Sequence, residues 1–202
     1  MKIGIFGGSF NPIHIGHLIV AEEVFQERAL AKVVFIPTGI SPHKEVANLI
    51  DASHRYQMVK EAIQGNTHFE VSDLEIKRSG KSYTIDTIRL FREIHGEKNK
   101  LYLIVGTDMM QEIRTWKNIE ELSGICHFVV VNRFQNYPEG KFLPDTILSD
   151  EKNTPIEKLM VRIPPIGISS SEIRDRLREG RSIRYLVPEN VERYIRINHL
   201  YR

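Results

Sequence analysis

Eleven residues near the start of the chain, Gly7-Gly8-Ser9-Phe10-Asn11-Pro12-Ile13-His14-Ile15-Gly16-His17, concentrate groups suited to phosphate chemistry. Gly7 and Gly8 let a backbone bend as residues with a Cβ cannot, and they let a phosphate approach the main chain. The segment runs into a helix, whose free N–H groups and positive dipole end favour an anion. His14 and His17 are three apart, so on helical backbone they share a face, and Gly16 keeps that face open. Three readings are open for the pair. They could be satisfied locally, or they could ligate a metal, which needs further ligands that no His or Cys supplies at finger or zincin spacing. Donation to phosphate oxygens as charge shifts in a transition state fits the preceding glycine turn best.

A second cluster lies far downstream, at Ile168-Ser169-Ser170-Ser171-Glu172-Ile173-Arg174. Serines before an amphipathic run cap a helix, with Glu172 in its first turn. A capped N-terminus with hydroxyls is an anion site, and Arg174 adds a planar fork suited to phosphate oxygens. A capped helix with a surface arginine is the plain alternative. Other phosphate signatures fail. Gly4 to Gly7 does not make the dinucleotide fingerprint, Gly7 to Asn11 does not complete a nucleophile elbow, and Gly80-Lys81-Ser82 lacks the Walker glycine, since residue 75 is Glu.

These groups need a scaffold. Short apolar runs alternate with amphipathic segments. Strands are expected at 2–6, 32–36, 68–71, 100–105, 126–131 and 159–163, and helices at 15–29, 52–64, 84–95, 108–122 (broken near 115), 169–178 and 188–197. The alternation implies an α/β fold, a Rossmann-like parallel sheet flanked by helices, with ligands outside the carboxyl ends of the strands. Residues 133–155, rich in Pro, Asn, Gly and Asp, read as a long surface loop. With 202 residues and 41% hydrophobic composition, one domain spanning 1–202 is expected.

Net charge is +2, too small for a nucleic-acid-coating module. Residues 151–202 nevertheless carry 11 Lys/Arg against 7 Asp/Glu, a surplus that suits an anionic ligand. One cysteine, Cys126, excludes a disulfide-stapled scaffold and reads as a buried thiol. No apolar run approaches the ~18 residues a membrane span requires, so a cytoplasmic protein without membrane or nucleic-acid partners is expected.

The segment from Gly7 to His17 resembles the pattern Gly-Gly-x-Phe-(Asp/Asn)-Pro-x-His-x-Gly-His of adenylyltransferases in the HIGH nucleotidyltransferase superfamily, and Ile168 to Arg174 resembles its Ile-Ser-Ser-Thr-x-Ile-Arg motif, with Ser171 in place of Thr. Within that superfamily the chain is most similar to the bacterial nicotinate-nucleotide adenylyltransferase family. Pro42-His43-Lys44 resembles its loop after the second strand, and Ser82-Tyr83-Thr84-Ile85-Asp86-Thr87 its element at a helix start. Gly106-Thr107-Asp108 resembles its Gly-x-Asp after the fourth strand. The resemblance implies the nucleotidyltransferase fold and transfer of an adenylyl group from ATP to nicotinate mononucleotide, with Mg²⁺ carried by ATP.

It implies catalytic roles for His14, His17, Lys44 and Arg174. ATP would meet Gly7, Gly8, Ser9, Phe10, Gly106, Ile168, Ser169, Ser170 and Ser171, and the acceptor Thr84, Asp108, Trp116 and Arg133. Trp116, the only tryptophan, would stack on the pyridine ring. It is followed by Lys117, where many members carry a second aromatic. A sister enzyme using nicotinamide mononucleotide or phosphopantetheine, and a non-catalytic nucleotide sensor, stay open as alternatives, as does a homodimer.

Overall fold

The computed structural model describes residues 1–41, 49–110, 112–132 and 160–202. Among the described residues six strands form one sheet: β1 (Lys2–Gly8), β2 (Lys32–Pro37), β3 (Phe69–Val71), β4 (Lys100–Gly106), β5 (His127–Asn132) and β6 (Met160–Arg162). All neighbours are parallel, in the order β3-β2-β1-β4-β5-β6. Successive crossovers therefore leave β1 toward β2 on one side and reach β4 on the other. The carboxyl ends of β1 and β4 diverge there, at the switch point where open α/β sheets bind ligands.

The strands are apolar on both faces, as a sheet covered on both sides requires. Phe6, Val33, Phe35, Ile104, Val129 and Val131 pack on one face. Against them lie α1 (Ile15–Glu27), α2 (Ala52–Ala62), α7 (Ser170–Arg178) and α8 (Glu189–Ile197), through Val20, Val24, Met58, Val59, Ile173, Val191 and Ile195. The alternate residues Ile3, Ile5, Val34, Ile36, Leu103, Val105, Phe128 and Val130 face the other way. They meet α4 (Thr84–His95), through Ile85, Ile88 and Phe91, and α6 (Ile119–Ile125), through Leu122. Each fully buried aliphatic or phenyl side chain contributes about 1.5–3 kcal/mol of burial free energy. Cys126 is buried, its Sγ 3.3 Å from the Leu122 carbonyl.

Elements differ from expectation where local chemistry intervenes. The helix from 15 stops at Glu27 because Ala29 adopts a left-handed backbone, φ 48°. The break expected near 115 is present: the segment 108–122 divides into α5 (Thr107–Met110), a 3₁₀ turn Ile113–Thr115 and α6. Trp116 is extended and Asn118 left-handed, φ 51°, so no continuous helix could pass through them. A single helical turn, α3 (Leu74–Lys77), was not expected. The loop expected at 133–155 lies outside the described residues.

Candidate active site

The loop from β1 to α1 is built around Phe10. Its backbone is left-handed, φ 44°, an uncommon conformation for a residue with a Cβ. The ring compensates by full burial, edge-on to Phe6 at 5.6 Å and to His17 at 5.1 Å. A Cβ at Gly7 would meet nothing within 4 Å, so the main chain there is open, but the bend expected at Gly7 and Gly8 falls at Phe10 instead, both glycines continuing β1.

His14 is the N-cap of α1 and His17 its third residue. The His14 backbone N–H donates to Nδ1 of His17 at 3.2 Å. That bond makes Nδ1 the acceptor and leaves the ring proton on Nε2. The two rings stack, centroids 3.7 Å apart. His17 lines the cleft, whereas His14 is 2% exposed and lies behind it, because an N-cap is extended (φ −144°) and does not share the helical face. Gly16 backs the His14 ring, and a Cβ there would come within 3.0 Å of Nδ1.

The second motif grips this loop. Ser169 caps α7, its Oγ accepting from the Glu172 N–H at 3.1 Å. Ser170 Oγ donates to the Pro12 carbonyl at 2.8 Å. Arg174 donates through Nη1 to the Asn11 carbonyl at 2.8 Å and through Nη2 to Ser171 Oγ at 3.1 Å. Ile168 packs partly buried against the core. The two helix starts therefore meet at one loop.

A cleft of about 340 Å³ opens at the carboxyl ends of β1 and β4. It brings together Gly7, Gly8, Ser9, Phe10 and His17 with Gly106 and Asp108 from β4 and α5, and with Thr84 and Trp116. His14, Ile168, Ser169, Ser170, Ser171 and Arg174 stand behind or beside the loop and do not line the cleft. Lys44 and Arg133 lie outside the described residues.

Trp116 packs against the core cluster beneath α4, and its buried Nε1 has no partner among the described residues. Lys117 straps that segment down. Its Nζ lies 3.0 Å from Asp86 Oδ2 and 4.6 Å above the Tyr83 ring, both in the first turn region of α4.

Two buried ionisable residues were not singled out from the sequence, Arg55 behind the glycine loop and Glu75 in the cleft wall. Arg55, 1% exposed, donates to the carbonyls of Ser9 (2.8 Å), Ile50 (3.1 Å) and Gly39 (3.4 Å), so one guanidinium joins the glycine loop to the segments that follow β2. Burial lowers its pKa, yet a guanidinium stays charged. Its signal was legible: Arg55, Met58 and Val59 form one i, i+3, i+4 stripe, the buried face of α2.

Glu75 is 7% exposed and lines the cleft. Thr87 Oγ donates to its Oε1 at 2.7 Å. A Cβ on Gly39 would sit 2.3 Å from the Glu75 carbonyl, so only glycine passes there. Burial pushes the Glu75 carboxyl up, against the lowering effects of Thr87 and Arg78. The native state then holds a proton that the unfolded chain has already released. Stability falls as pH rises from the ordinary glutamate range through the raised value. Glu75→Gln should flatten that part of the melting-temperature profile against pH while keeping the Thr87 bond. Parallel profiles for the two proteins would contradict it.

Among the described residues no helix is long and apolar enough to cross a membrane, and no group of three or more His, Cys, Asp and Glu could hold a metal ion. The cytidylyltransferase-like family matches residues 5–176. A protein of Thermoanaerobacter sp. (strain X514), named probable nicotinate-nucleotide adenylyltransferase, is 46% identical over 100% of this chain and 95% of its own length. One of the same name from Desulfitobacterium hafniense (strain Y51) is 43% identical over 100% and 96%. The fold is that of the Plasmodium falciparum nicotinic acid mononucleotide adenylyltransferase complexed with NaAD. That likeness has a TM-score of 0.76 and 24% identity, covering 99% of this chain and 97% of that one. With the two motifs joined at one loop, these matches place the chain in the cytidylyltransferase-like family and, within it, among the nicotinate-nucleotide adenylyltransferases.

Proposed function

We propose that a phosphate oxygen of nicotinate mononucleotide attacks the α-phosphorus of ATP in line, the bond to the β-phosphate oxygen breaks, and pyrophosphate leaves as nicotinate adenine dinucleotide forms. The observation that carries this reading is the cleft at the β1/β4 switch point, where the glycine loop and His17 face Thr84, Asp108 and Trp116. The attacking phosphate is already an anion, so no strong base and no covalent intermediate is needed. Positioning and charge stabilisation do the work.

Gly7, Gly8 and Ser9 line the path of the triphosphate, Gly7 and Ser9 offering backbone N–H groups beside Gly8, which stays in the β1–β2 ladder, and His17 Nε2–H donates to the α-phosphate as its charge rises. His14 holds the His17 ring by the 3.2 Å bond and the stack. Arg174, with the serines of the second motif, holds the loop and adds positive charge on the pyrophosphate side, the role the resemblance also implies for Lys44. Mg²⁺, brought by ATP, would neutralise phosphate charge while held by phosphate oxygens and water. Asp108, one of the carboxylates lining the cleft, would accept from ribose hydroxyls. Thr84 faces the acceptor's carboxylate, and Trp116 offers its ring to the cationic pyridine.

Because Trp116 is the only tryptophan, its fluorescence reports the acceptor pocket directly. Nicotinate mononucleotide should quench it with a saturable isotherm. Emission that ignores the acceptor at every concentration would argue against the reading. Trp116→Ala should raise the acceptor's KM by roughly tenfold to a hundredfold, the usual worth of a base–aromatic stack, with the KM for ATP little changed. Equal losses for both substrates would assign Trp116 to packing alone.

A further inference from the structure

Asn11, 1% exposed, is tied to three distant parts of the chain. Its carbonyl accepts from Arg174 at 2.8 Å, and its Oδ1 accepts from the Ile50 N–H at 3.5 Å and from the Tyr201 hydroxyl at 2.9 Å. Tyr201 lies 190 residues away, in the turn that follows α8. That helix is seated by buried Val191 and Ile195, and its Tyr194 hydroxyl meets His54 Nδ1 of α2 at 2.9 Å.

Beyond α8 the chain makes two uncommon moves. His199 and Tyr201 both take left-handed backbone, φ 52° and 66°, a region that residues with bulky side chains avoid. The outcome is that the Tyr201 ring enters the core at 8% exposure with its hydroxyl against the glycine-led loop. A phenyl ring would fill the same space, so core packing does not account for the hydroxyl. Burial also pushes the phenol's pKa well up, against the lowering influence of Arg174 and Arg55, so the group remains a donor at any working pH.

We propose that Tyr201 is a positioning residue for adenylyl transfer. Its hydroxyl fixes the Asn11 side chain and so sets the stretch of loop between Ser9 and His14 whose carbonyls Arg174 and Ser170 hold. This rests on the reading of the cleft as the ATP site, and it adds a residue outside both recognised motifs.

Tyr201→Phe tests it by removing one oxygen atom. Pyrophosphate release should show kcat lowered roughly fivefold to tenfold, the scale of one hydrogen bond, with the acceptor's KM unchanged. Hydrogen exchange at the amides of residues 7–13, Pro12 apart, should quicken. Asn11→Ala should behave alike, the double variant should be no worse than Asn11→Ala, and Asn11→Asp, which keeps an acceptor, should retain most activity. The proposal is overturned if kcat and exchange at 7–13 both stay within twofold of the parent protein. It is equally overturned if only the melting temperature drops while turnover per folded molecule holds. Should the parent protein itself release no pyrophosphate, the functional reading fails, and the exchange rates at 7–13 still decide whether Tyr201 orders the loop.

Discussion

His17→Ala should lower kcat by about 10²–10³, the usual cost of removing one donor aimed at developing charge, while the KM values for ATP and acceptor should change only modestly. The expectation follows from how the ring is held. Nδ1 is occupied by the His14 N–H, so the proton sits on Nε2. His14 stacks on one face at 3.7 Å, and Phe6 and Phe10 stand at steep angles to the ring, 62° and 78°. A ring so confined meets a transition state without reorganising, and its benefit appears in kcat rather than in ground-state binding. The substitution also removes a capping acceptor, worth about 1 kcal/mol of stability. Thermal melts must therefore establish that the variant is folded at the assay temperature. A folded His17→Ala protein with near-parental kcat would remove His17 from the chemistry.

Arg174→Ala should reduce kcat/KM for ATP by about tenfold to a hundredfold and leave the acceptor's KM near its parental value. Each hydrogen bond from a charged donor is worth about 1.5–3 kcal/mol. Arg174 makes one to the Asn11 carbonyl and one to Ser171 Oγ. Without it the loop loses an anchor, and on the proposed reading the pyrophosphate side loses a positive charge. Arg174→Lys should recover only part, since a single ammonium cannot serve both acceptors in the fork geometry. A loss confined to the acceptor's KM would place Arg174 on the wrong substrate.

The sheet was legible in the sequence chiefly through β1, β2 and β4, apolar runs that each open on a lysine and close on Gly or Pro, whereas β3 and β6 are three residues long and carry a charge. The two-faced burial followed from the absence of alternation in 2–6 and 32–36. The meeting of the two phosphate motifs was legible as chemistry but not as geometry. Nothing in the spacing said that Arg174 and Ser170 would take hold of the Asn11 and Pro12 carbonyls. His14 and His17 were read as neighbours on a helical face. The N-cap conformation of His14 turned that pair into a stack, with only His17 lining the cleft. Arg55 was hidden by its type, since an arginine in an amphipathic helix reads as solvated, although its position on the apolar stripe argued otherwise. Tyr201 carried no local signal, because its partner lies 190 residues away.

Pyrophosphate release with ATP and a panel of nicotinate mononucleotide, nicotinamide mononucleotide and phosphopantetheine tests the central claim most directly. The account predicts rapid release with nicotinate mononucleotide and a far lower kcat/KM with the other two. No release with any of the three, or a preference for phosphopantetheine, would contradict it.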